Sequence, residues 1–182
     1  MSNPITICNK ALIQIGAETI ESFEDMSVES EACEAFYEDV VQDILTQRKW
    51  SFATENLKLP QLNEQGEFGF DKVYQLPINH VFIYNLNELG AFKVASGKLY
   101  TNNNNVVIEY TVRAPENHWP SYFSNIIQYR MAAELAPAIT GNTSRAQLFE
   151  QKYRQALGRG ISLDGQNHTT QSFRSYAFLA CR

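Results

Sequence analysis

The chain has 182 residues, is 44% hydrophobic and 19% charged, and carries a net charge of −5. That length buries roughly 70% of the unfolded surface, so one domain can be stable without disulfides. The acidic balance argues against a general nucleic-acid binder, which shows a basic face and a high pI.

The N-terminal stretch SNPITICNKALIQIG places a capping residue at Ser2 or Asn3, Pro4 in the first turn and Gly16 at the stop. Ile5, Cys8, Leu12 and Ile15 form one stripe, which predicts a helix over residues 3–16. A polar connector leads to Ser27, a cap for a second helix over 28–49. There Ala32, Phe36, Val40 and Ile44 recur every four residues. Glu29 and Glu31 come early and Arg48 and Lys49 late, in the order the helix dipole favours.

After Trp50 the period changes. Residues 61–69 read as a loop, and 72–76 and 80–86 read as strands broken by Pro77 and Asn79. Three more strand candidates follow, separated by a tight turn at Ser96-Gly97 and a second turn, expected to be a hairpin tip, at 102–105. Helical patterning returns over 119–140, where Phe123, Ile127, Met131 and Leu135 repeat at four. A fourth helix is predicted over 143–158, with Gly158 and Gly160 ending it. The expected fold class is therefore α+β: a bundle of about four helices, with an inserted antiparallel sheet of about five strands in the region 51–113. The expected domain covers 1–160, and 161–182 is read as an extended C-terminal tail.

Chemistry is sparse. His80, His118 and His168 show no metal-ligand spacing with each other or with cysteine, so no metal site is predicted. Ala95-Ser96-Gly97-Lys98 lacks the spacing of a phosphate loop and joins two strands. Cys8, Cys33 and Cys181 are too far apart in sequence to suggest a redox pair and read as reduced thiols. No apolar run approaches the roughly 18 residues of a membrane span, and no charged n-region precedes an apolar run. Neither catalytic residues nor a cofactor are expected, and membrane spanning and secretion by a signal peptide are not.

Several stretches resemble one family: ICNKALIQIGAETIESFED, DVVQDILTQRKWSFATENLKL, FDKVYQLPINH, ASGKLYTNNNNVVIEYTVRA and WPSYFSNIIQYRMAAELAPAITGNTSRAQLFEQKYRQAL. Together they are similar to the head-to-tail adaptors of short-tailed bacteriophages, the tail tubular protein A family, over about residues 4–163. The Trp50/Phe52 corner, Tyr74-Gln75-Leu76-Pro77 and Ala132-Ala133-Glu134-Leu135-Ala136 are the most characteristic pieces. The resemblance implies a structural virion protein located in the tail or neck, and in host cytoplasm during assembly. It implies a ring, typically of twelve copies, between the portal protein and the tail nozzle protein. DNA would pass through the channel during ejection without sequence-specific binding. A peptidoglycan hydrolase and a neck protein of a long-tailed phage are the competing expectations.

Two sets of contact residues follow. Phe173, Arg174, Tyr176, Phe178 and Leu179 end a polar tail and need a receiver, either the portal or a neighbouring subunit. Each large apolar side chain contributes about 1.5–3 kcal/mol when buried, against about 1–2 kcal/mol per backbone residue ordered. The tail is thus expected to order on a partner rather than alone. The second set pairs charges between subunits. Glu34 and Glu38 lie on the acidic second helix, opposite Arg145, Lys152 and Arg154 on the fourth. Arg130 and Arg159 add to the same basic side.

Overall fold

The computed structural model describes residues 3–88 and 90–167. Four helices and two antiparallel sheets make an α+β fold. Helix α1 (Pro4–Ile15) starts at Asn3, whose side chain accepts from the Thr6 N–H, and stops at Gly16 with φ 75°. Helix α2 (Val28–Thr46) starts at Ser27. Between them the Asn9 side chain both donates to and accepts from the Ile20 backbone, at 2.8 Å each, which fixes the connector.

Helix α3 (Ser121–Thr140) is the central element and touches the other three helices. Its buried residues, among them Phe123, Ile126, Met131, Ala132 and Leu135, wrap around more than one face, as expected of a helix enclosed on several sides. Pro137 sits in its last turn, and Gly141, with φ 63°, ends it.

The strands are β1 (Thr54–Lys58), β2 (Gln61–Leu62), β3 (Lys72–Gln75), β4 (His80–Leu86), β5 (Phe92–Ala95), β6 (Lys98–Thr101) and β7 (Val107–Val112). They form two sheets, in the orders β1-β7-β4 and β2-β3-β6-β5, rather than the single expected one. Pro60 and Pro77 lie at two of the crossings between sheets, where a missing N–H ends a ladder without loss. The turn at Ser96-Gly97 joins β5 to β6 as predicted. Residues 102–105 differ from the expected hairpin tip, because β6 and β7 belong to different sheets. This segment is bonded inward: Lys72 Nζ donates to Asn102 O and Asn104 Oδ1, and Tyr74 donates to Asn103 O at 2.9 Å. Strand β1 was not legible because TENLK lacks β-branched alternation and lies mostly exposed at the edge of its sheet.

The fourth helix corrects its predicted end. Helix α4 runs over Thr143–Gln166, through Gly158 and Gly160. Residues 161–166, expected in the extended tail, therefore belong to the helix. Gly160 lets the two helices approach closely: a Cβ there would stand 2.6 Å from Ile126 Cδ1 of α3, which would have to shift. Packing across α3 and α4 carries the helix past two poor helix formers.

Candidate interaction surfaces

The Trp50 corner is where both ends of the chain's helical half meet. Trp50 is fully buried and donates through Nε1 to Ile44 O at 2.9 Å. Phe123 meets it edge-on at 5.2 Å between ring centroids, and Phe52 meets Phe123 at 4.7 Å. Arg48 lies over the Trp50 ring.

Asp164, 0% exposed, closes the corner from α4. Its carboxylate accepts from Ser51 N–H at 3.1 Å, from Ser51 Oγ at 2.6 Å and from the Tyr122 hydroxyl at 2.7 Å, with Arg48 at 3.8 Å. Burial and the bond to Asp164 push the Tyr122 hydroxyl up to about 12, so it remains a donor. A buried charge is tolerated only when paired and hydrogen-bonded, and this set meets that demand. The consequence is positional. The last turn of α4 is thereby tied to the α2–β1 corner. Asp164 was missed in sequence because it was assigned to the tail. The signal was there: it continues the stripe of Phe149, Tyr153, Leu157 and Gly160.

Beside this latch, α3 and α4 enclose an open groove of about 510 Å³. Tyr122 and Tyr129 line one wall, and Lys152, Ala156, Arg159 and Leu163 the other. Lys152 rests over the Phe149 ring at 4.7 Å. Neither Lys152 nor Arg159 meets a carboxylate among the described residues.

A second hollow, of about 280 Å³, opens beside α2. Phe23, Tyr37 and Pro4 give it apolar walls, and Glu34, Glu38, Glu116 and Arg113 its charges. Arg113 donates to Glu38 at 2.9 Å and to Glu116 at 2.7 Å. Burial alone would raise the Glu38 carboxyl, but hydrogen bonds from Arg113 and Gln42 outweigh it and hold the group below its usual range. Tyr37 donates to Glu116 at 3.1 Å, and burial pushes its hydroxyl well up. Glu31 and Glu34 have no side-chain partner among the described residues.

These placements sort the charges proposed for pairing between subunits. Glu38 is engaged by Arg113 within the chain. Arg145 donates to Ile15 O, at the C-terminal end of α1 where a cation complements the dipole. Arg154, 76% exposed, pairs with Glu150 at 3.0 Å, and Arg130 pairs with both Glu134 and Glu150. Glu34 and Lys152 have no ion-pair partner among the described residues. The tail residues Phe173, Arg174, Tyr176, Phe178 and Leu179 lie outside the described residues.

Cys8 and Cys33 are buried between α1 and α2, and contact with Cys33 together with burial pushes the Cys8 thiol far up. Among the described residues, no group of three His, Cys, Asp or Glu side chains is placed to hold a metal ion, and no helix is long and apolar enough to cross a membrane. Compared with protein-family models and with curated proteins, the chain matches none.

Proposed function

We propose that this chain is a ring-forming head-to-tail adaptor that joins a portal to a tail nozzle in a short-tailed phage virion. The observation that carries the reading is where the family-like stretches fall. Trp50 and Phe52 form the corner against α3, Tyr74 and Leu76 are buried in and after β3, and Ala132 and Ala136 are buried on α3. The most characteristic of the family-like residues are thus ones that set this fold.

Two further features support it. The latch at Asp164 fixes the end of α4, the element that precedes the proposed portal-binding residues in the sequence. The chain also carries an acidic hollow on α2 and a basic groove on α3 and α4, which suits the heterologous contacts that build a ring. In this reading Phe173, Tyr176, Phe178 and Leu179 are received by the portal. Attachment is firm because each later contact around the ring is intramolecular. A net acidic ring holds DNA weakly, since phosphate binding grows with each Lys or Arg contact.

Co-expression with the portal and nozzle proteins of the same virus tests this. The chain should co-purify with both, and removal of residues 171–182 should abolish portal capture while leaving the unfolding temperature unchanged. A truncated chain that is retained by the portal as well as the full chain would contradict the docking role.

A further inference from the structure

We infer that the α3–α4 groove of one copy seats the acidic stripe of α2 from a second copy. This rests on the adaptor reading only for its setting; the contact itself is argued from the two surfaces.

The groove holds two cations and no carboxylate in its lining. Lys152 and Arg159 are two helical turns apart, about 10.5 Å along α4. On α2, Glu31 and Glu38 have the same seven-residue separation, and Glu34 lies between them. The two charge rows therefore match in sign and in spacing. The match survives the internal pairing. Arg113 already meets Glu38 and Glu116, yet the hollow is lined by three carboxylates against that single guanidinium, and Glu31 lies one turn before Glu34 on α2. Exposed Ala35 gives α2 a low point where a partner helix comes close. On the other side, Ala156 and Leu163, about 10.5 Å apart along α4, and Tyr122 and Tyr129 of α3 give the groove apolar surface.

Within one chain the two surfaces are not joined: α2 and α4 each pack against α3, and among the described residues no ion pair links Lys152 or Arg159 to α2. A second copy satisfies both in turn, and each copy then offers the free surface to the next. Apolar walls supply the adhesion, and the charges set register.

Charge reversal in two halves tests this by sedimentation velocity on the full chain under reducing conditions. One variant carries Lys152→Glu with Arg159→Glu; the other carries Glu31→Lys with Glu34→Lys. The wild type should self-associate with rising concentration. Each variant alone should associate at least about tenfold more weakly, and an equimolar mixture of the two should recover wild-type association, because every contact is again between opposite charges. Circular dichroism and thermal unfolding check that both variants fold. The milder pair Lys152→Gln with Arg159→Gln should give an intermediate weakening if the reversed variant misfolds. A wild type that stays monomeric up to millimolar concentration, a variant that associates as the wild type does, or a mixture without recovery would each overturn the contact. Variants that still assemble a full ring on the portal would overturn this contact while leaving the adaptor reading intact.

Discussion

Asp164 is the residue whose removal reports most on how the chain is organised. Its carboxylate satisfies the Ser51 N–H, the Ser51 hydroxyl and the Tyr122 hydroxyl inside the domain. Replacing it with alanine strands those donors, and Asp164→Ala is expected to cost about 2–4 kcal/mol by denaturant unfolding. Asp164→Asn keeps the shape and should cost less. A second residue-scale prediction concerns pH. The Glu38 carboxyl is held low when folded, so its contribution is present above its unfolded value and is lost as pH falls through the folded one. Glu38 is half exposed, and water screening limits the contribution to about 0.5–1 kcal/mol. Glu38→Gln should therefore be less stable than the wild type by that amount at neutral pH, and the gap should close on titration below about pH 4. A gap that persists in acid would mean packing, not charge, accounts for it.

At the scale of elements, the two glycines of α4 make opposite predictions. A Cβ at Gly158 meets nothing within 4 Å, so Gly158→Ala should stabilise the helix by about 0.5–1 kcal/mol. At Gly160 the same change presses on the buried Ile126, and the gain in helix propensity is cancelled or reversed. Thermal unfolding of the two single variants should separate them by a few degrees. This pair also explains what could and could not be read in the sequence. Caps were legible, at Ser27 outright and as Ser2 or Asn3 for α1, where Asn3 takes the role, because they act within three residues. Strand β4 was legible from its run of aromatic and β-branched residues, and β7 from strict alternation, whose Val106, Ile108, Tyr110 and Val112 face is buried. The end of α4 was not, since Gly158 and Gly160 are local stop signals and their override comes from Ile126 and Ser51, far away in sequence. The division into two sheets was hidden for the same reason: strand pairing is set by contacts between β1 and β7, about fifty residues apart, and not by any local pattern. Of the charges named for pairing, the sign was legible in the sequence but not which were already engaged within the chain.

For the whole molecule, a helical bundle with a buried aromatic corner carries two small sheets, a latched end of α4 and two oppositely charged hollows. In the proposed connector the corner and α3 would give rigidity, the hollows would link copies, and the terminal residues would bind the portal. The most direct measurement is electron microscopy of this chain mixed with the purified portal of its own virus. The account predicts a closed ring of copies seated at the portal's DNA exit, coaxial with its channel. A chain that remains monomeric beside bare portals would contradict it.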